Sequence, residues 1–259
     1  MGSQRGGTDR RDTGRGPAGT DEGPAERDRS TQSRRVHVRQ LDAVDTLRWS
    51  WEVLTDRFEL VGLAFAVGLL SVLALFGVSP TVPSEPPRVA DWALPVYVAF
   101  LAGIAAVWGV VYVTANAAVK ERSVPLAHRL KRAVTRLPAL FATGVLTWLI
   151  SALGLVLLVL PGVYLYHRLV LSYPACVIDG KGPLASLKAG WRASRGNAAK
   201  IFGINLGYLG LVGASNFAAG VFGRYSLASG FVSAGVTAGV VPLFGLAFGH
   251  LYLERSRNQ

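Results

Sequence analysis

Five stretches of this chain run without a charged residue for longer than a lipid bilayer's core requires. Between Glu59 and Glu85 lie 25 uncharged positions, between Asp91 and Lys120 28, and between Arg136 and Arg168 31. Lys200 and Arg224 bracket 23 more, and Arg224 and Glu254 a further 28 once His250 is set aside. An α-helix rises about 1.5 Å per residue, so roughly 20 apolar residues cross a hydrocarbon core. Four of the gaps hold one span each. The stretch 137–178 would reach about 63 Å as a single helix, so it must fold back, and Pro161-Gly162 is the expected turn. The pattern predicts an all-α polytopic membrane protein with six transmembrane helices at about 60–79, 93–118, 138–160, 162–178, 201–222 and 228–252. The composition agrees, with 51% apolar and only 17% charged residues.

Basic residues supply an independent reading of orientation, because short loops rich in Lys and Arg stay cytoplasmic. Segment 119–136 holds Lys120, Arg122, Arg129, Lys131, Arg132 and Arg136, and segment 179–200 holds Lys181, Lys188, Arg192, Arg195 and Lys200. The loops between hold Arg88, no cation at 161–162, and Arg224. This alternation predicts a multi-pass protein of the cell membrane with both termini cytoplasmic. It also explains the net charge of +11 without invoking nucleic acid. Membrane lipids are the expected partners, with protein partners or a second copy as further options.

Residues 1–40 mix seven Gly, nine Arg and six acidic residues with no apolar periodicity, which predicts a disordered polar tail. No apolar stretch near the start suggests a secretory signal. Arg34, Arg35 and Arg39 could form a basic patch near anionic head groups or belong to a solvated linker. The six-span domain is expected over 41–253, followed by a short cytoplasmic tail at 254–259.

Three segments next to the spans have amphipathic helical spacing. Val44, Leu47, Trp51 and Leu54 line one face of the first, and Leu126, Leu130, Val134 and Leu137 one face of the second. In the third, Leu184, Leu187 and Trp191 oppose Lys188, Arg192 and Arg195. Such helices lie in the membrane interface or pack on the ends of neighbouring spans. Arg129, Arg132, Arg136, Lys188, Arg192 and Arg195 are the candidate interfacial cations. Pro125-Leu126-Ala127 is echoed by Pro183-Leu184-Ala185, and Leu47-Arg48 by Leu130-Lys131 and Leu187-Lys188. The chain therefore reads as three repeats of an amphipathic helix followed by two spans.

One stretch has a familiar pattern: Leu160-Pro161-Gly162-Val163-Tyr164, Arg168, Pro174-Ala175, Asp179-Gly180, Pro183-Leu184-Ala185-Ser186-Leu187, Trp191 and Arg195-Gly196-Asn197. It resembles a broad group of uncharacterised six-span prokaryotic membrane proteins, haloarchaeal ones among them. It is also similar to the membrane domain attached to some glycerophosphodiester phosphodiesterases. The resemblance implies a polytopic membrane domain without catalytic residues of its own.

Ionisable and amide side chains inside spans are costly and are the default functional candidates. Arg168, with His167 beside it, is a candidate site for a lipid phosphate or another anion; equally, it could be a structural arginine placed near the outer end of its helix. Asn205 and Asn216, on one face of the fifth span, and Asn116 in the second are expected to join helices. Gly203 and Gly207, Gly235 and Gly239, and Gly245 and Gly249 have the spacing of close helix contacts. No His or carboxylate cluster has metal-ligand spacing, and no nucleophile–base constellation or phosphate-binding loop occurs, so neither a metal, a cofactor nor an enzymatic activity is expected. Asp179 reads as a cap or turn residue before Gly180. The expected role is a non-enzymatic organiser of lipid or partner proteins. A small transporter or permease subunit without carboxylate-based ion coupling is the alternative, and a lipid-modifying enzyme a distant third.

Overall fold

The computed structural model describes residues 38–79, 88–223 and 226–258. The expected disordered tail falls outside the described residues up to His37, as does Arg224. Among the described residues the chain is almost wholly helical. The helices are α1 (Ala43–Asp56), α2 (Glu59–Leu75), α3 (Ala93–Val119), α4 (Leu126–Leu157), α5 (Val159–Leu169), α6 (Ser172–Ile178), α7 (Pro183–Ala193), α8 (Ala198–Val221) and α9 (Leu227–Arg257). Strands β1 (Val78–Ser79) and β2 (Arg88–Val89) pair antiparallel, Val78 opposite Val89. Four helices, α3, α4, α8 and α9, are long and apolar enough to cross a membrane. A fifth crossing results if α1 and α2, bent by 87° at their junction, count as one broken span.

Local chemistry accounts for the differences from the expected spans. The second amphipathic segment and the third span are one helix, α4, of 32 residues running through Pro138. Membrane helices tolerate such a proline because neighbouring elements satisfy the freed backbone group. The reversal sits at Leu158, whose backbone is extended (φ −163°, ψ 141°), and not at Pro161-Gly162. Pro161 occupies the first turn of α5, where a missing N–H costs nothing. Gly162 instead permits contact: a Cβ there would lie 2.4 Å from Leu155 N. The predicted span 162–178 is two pieces, α5 and α6, parted at Val170-Leu171. Pro174 removes the amide that would bond the Val170 carbonyl, and its ring would strike that oxygen. At the C-terminus the helix continues to Arg257, so most of the predicted tail at 254–259 belongs to α9. The fold also begins within the expected tail: Val38 is buried, and Asn258 holds it through Val38 N–H to Oδ1 (3.0 Å) and Nδ2 to Val38 O (2.7 Å).

Helix α9 is the hub, buried at every position from Val240 to Glu254 except Leu243. Its Gly245 and Gly249 abut α3, where a Cβ would come within 2.7 Å of Val111 and 2.6 Å of Ala115. Along its N-terminal half, Gly68 of α2 meets Ala234 at 3.0 Å in the same sense. Gly203, Gly235 and Gly239 face open space, so only one of the three expected glycine pairs brings helices together.

Each amphipathic segment buries only part of its expected apolar face: Leu54 and Leu187 are buried, and Leu47, Leu126 and Leu130 pack against the core. In α1 the buried stripe is Thr46, Ser50 and Leu54, while Val44 and Trp51 are 67% and 59% exposed. Both hydroxyls bond back along their own helix, Thr46 to Asp42 O (2.6 Å) and Ser50 to Thr46 O (2.8 Å). The start of α4 buries Arg129 and Ala133 and exposes Val134. Helix α7 buries Ser186, Leu187, Gly190 and Ala193, leaving Leu184 73% exposed. Small residues mark the packed face because they admit a neighbouring backbone. Ala133 lies where a Cβ on Gly109 would be 2.8 Å away, and Gly190 where its own would be 2.5 Å from Ser172 N.

Candidate functional site: a cationic face and an aromatic cavity

The six expected interfacial cations divide into two sets. Arg129 is buried, donating to Glu59 Oε1 (2.6 Å) and Thr114 Oγ1 (2.9 Å), so it does not face lipid. Arg132 and Arg136 are committed to backbone, reaching Ile178 O and Gly180 O at 2.9 Å each. There they satisfy carbonyls at the C-terminal end of α6, where positive charge is favoured. Lys188, Arg192 and Arg195 are exposed and form no ion pair with any described residue. The four-residue spacing of Lys188 and Arg192 puts them on one face of α7 with Leu184 in line, and Arg195 follows in the turn just past the helix end.

Asp179 is more than a turn residue. Gly180 does turn there with φ +67°, but the carboxylate pairs with Lys181, accepts from Tyr252 Oη, and accepts from Arg257 Nη2 at 3.1 Å. Burial pushes its pKa up, yet the Lys181 and Tyr252 hydrogen bonds and the charges of Lys181 and Arg257 outweigh it and hold the carboxyl below its ordinary range. Nearby, Glu254 binds Lys200 at 2.9 Å and approaches His250 at 3.8 Å. These ties join the segments flanking α7 to the end of α9. Glu254 and Tyr252 carry them, as Glu59 carries the tie from α2 to Arg129 of α4, and sequence reasoning missed all three because their partners lie 54 to 73 positions away.

Arg168 and His167 point in different directions. The Arg168 guanidinium donates to Tyr164 Oη (2.8 Å) and Ser194 Oγ (3.3 Å), and its carbon lies 5.0 Å from the Trp191 ring and 5.3 Å from that of Tyr164. Trp191 and Ser194 belong to the basic segment 179–200, not to the 161–162 end where the sequence placed this arginine. Aromatic faces and hydroxyls here substitute for a carboxylate. His167 faces α8: its Nδ1 lies 2.7 Å from Val163 O, and its Nε2 lies 3.2 Å from Asn205 Nδ2. Asn205 therefore joins α8 to α5, as expected. Asn216 does not join helices: it is exposed and returns its amide to Val212 O at 2.8 Å within α8. Asn116 is half-buried, with Oδ1 lacking any partner among the described residues.

Between α3, α4, α5, α6, α8 and α9 lies a cavity of about 660 Å³. Its rim is α4, where Phe141, Trp148 and Leu149 are 67%, 68% and 50% exposed. Its floor includes Tyr112, Asn205 and Phe248, each at most 3% exposed. A second cavity of about 490 Å³ beneath α1 is of opposite character, lined by Arg39, Asp45, Arg48, Glu52 and Glu121. No group of three or more potential metal ligands assembles among the described residues. No family model matches the chain, and neither a curated protein nor a solved structure is significantly similar to it.

Proposed function

We propose that this chain is a six-span integral membrane protein of the cell membrane, with both termini cytoplasmic, that organises anionic lipid at its cytoplasmic face without an enzymatic step. The observation that carries this reading is the set of large apolar side chains that the amphipathic helices leave exposed. Val44, Trp51, Val134 and Leu184 are turned outward. Large apolar side chains beside cations suit a helix lying at the boundary of head groups and acyl chains. Lys188, Arg192 and Arg195, free of acidic partners among the described residues, supply the attraction to anionic head groups, worth about 1 kcal/mol per cation near such a surface. Within this reading α2 and the α5–α6 pair complete the six crossings, and the order of amphipathic helix and two spans recurs three times.

Purified full-length protein should retain phosphatidylglycerol in preference to phosphatidylcholine through detergent washes. The triple variant Lys188→Gln, Arg192→Gln, Arg195→Gln should lose most of that preference; an unchanged preference would overturn the reading. Cysteines at 123 and 182 should resist an impermeant thiol reagent applied to intact cells, while one at 226 should react. The reverse labelling would overturn the orientation. Uptake of a solute into proteoliposomes would replace the organiser with the transporter.

A further inference from the structure

The aromatic cavity gathers one kind of side chain. Half of its sixteen lining residues are aromatic, against 10% of the whole chain, and four of the chain's eight tyrosines are among them. The Trp108 ring lies 5.8 Å from that of Tyr112 and 6.1 Å, edge-on, from that of Tyr208. Tyr173 stands beside Gly144, its hydroxyl 3.9 Å from where a Cβ on that glycine would sit, so its phenol oxygen is at the cavity wall. The Tyr112 oxygen is within electrostatic reach of those of Tyr166, Tyr173 and Tyr208, so the four phenols converge on one space. The hydroxyls of Tyr112, Tyr166 and Tyr208 have no hydrogen-bond partner among the described residues, yet none of the three is sealed off. Tyr112 is itself only 3% exposed, and the cavity is the space its hydroxyl opens onto.

The walls define the ligand. None of the lining residues is Asp, Glu, Lys, Arg or His, so a charged head group would enter without compensation, at prohibitive desolvation cost. A phenol both donates and accepts, so the hydroxyls serve carbonyl and hydroxyl oxygens alike. Aromatic faces and edges favour a flat ring over a puckered one of the same size. The exposed rim, with Phe141 and Trp148, belongs to α4, a helix long and apolar enough to cross a membrane, which gives a lipid tail its exit. The volume of about 660 Å³ is that of a typical small-ligand site. We infer that the cavity binds an uncharged lipid of the quinone class: a planar ring held among Trp108, Tyr112 and Tyr208, its oxygens on the phenols and its apolar tail leaving past Trp148. Charge and ring shape are the basis of selection. Oxidation state is not, because the hydroxyls of a quinol find acceptors in the same phenols.

The site lies apart from the cationic face and is tested separately. Full-length protein in phosphatidylcholine nanodiscs is photolabelled with an azidobenzoquinone carrying a decyl tail, and the labelled peptides are mapped. Labelling should saturate and fall on α3 around Trp108 and on α8 around Tyr208. Unlabelled decylbenzoquinone should displace the probe, and decylcyclohexanedione, a puckered ring with the same oxygens, should need roughly tenfold more. A decylbenzoquinone with a sulfonate on its ring should not displace it. Gly144 lines the cavity with its nearest neighbour, Tyr173, 3.5 Å from where a Cβ would sit, so Gly144→Leu should fill the space and suppress labelling. The displacement series is read on the wild type and stands whether or not that variant folds. The Lys188→Gln, Arg192→Gln, Arg195→Gln variant should label as the wild type does, so loss of anionic-lipid preference and loss of quinone labelling are distinct results. Scattered or non-saturable labelling, displacement by the sulfonate or the cyclohexanedione as effective as by the quinone, or undiminished labelling of a folded Gly144→Leu would each overturn the inference.

Discussion

Helices α8 and α9 are neighbours in sequence, both apolar and rich in glycine, yet the tertiary structure treats them oppositely. Eighteen residues of α9 are buried against four of α8, so one is the axis of the fold and the other a wall facing outward. The difference lies in what their small residues meet. Gly245 and Gly249 sit against Val111 and Ala115 of α3, whereas Gly203, Gly210 and Gly213 have nothing within 4 Å of a would-be Cβ. In a bilayer, lipid tails are as apolar as leucine, and helices associate where close packing and polar ties favour it. The α3–α9 seam has the close packing, and polar ties gather at the end of α9, where Glu254 pairs with Lys200 at the start of α8 and Tyr252 and Arg257 reach Asp179. The α4, α5 and α8 side has an aromatic cavity instead.

Stability measurements in detergent can break or sharpen this contrast. Gly249→Leu should be the most damaging change, costing about 3 kcal/mol, because the new side chain has no room against Ala115. Gly203→Leu, the same substitution on the open face, should be close to neutral; equal losses would erase the distinction between seam and wall. Glu59→Gln should cost about 2 kcal/mol in denaturant unfolding, less than a fully buried pair would, since the Glu59 side chain is 37% exposed while its partner Arg129 is at 3%. Recovery in Glu59→Gln/Arg129→Leu would confirm that the unpaired buried cation is the cause. Asn205→Leu, losing one tie between helices, should cost about 1 kcal/mol, and Asn216→Leu nothing measurable.

The smallest effect is a pH dependence confined to the Asp179 cluster at the end of α9. The folded Asp179 carboxyl binds its proton less readily than the unfolded one. Its contribution is therefore complete above the unfolded carboxylate pKa of about 3.9, and fades as pH falls through the lower folded value. Thermal melting should show a loss of stability on acidification below about pH 4, and Asp179→Asn should remove that part of the slope.

The sequence by itself determined that the chain is helical and where its long apolar helices lie. The observed α3 (Ala93–Val119) and α8 (Ala198–Val221) fall within three residues of the expected spans, since hydropathy is a sum over a segment and needs no knowledge of neighbours. Even the break between α5 and α6 is written in Pro174, although a reading by charge gaps passes over it. Only the tertiary structure decided which way each helix faces. Thr46, Ser50, Ala133 and Gly190 are buried, while Trp51, Val134 and Leu184 look outward, although Leu54 and Leu187 of the same expected faces are buried. Arg129, Arg132 and Arg136 looked equivalent in sequence, and only distant partners showed one to be a buried ion pair and two to be ties to backbone carbonyls. The physical reason is common to both. In water, large apolar side chains mark the inside of a protein; next to lipid, inside and outside are equally apolar, and side-chain size and polar pairing across the fold make the choice.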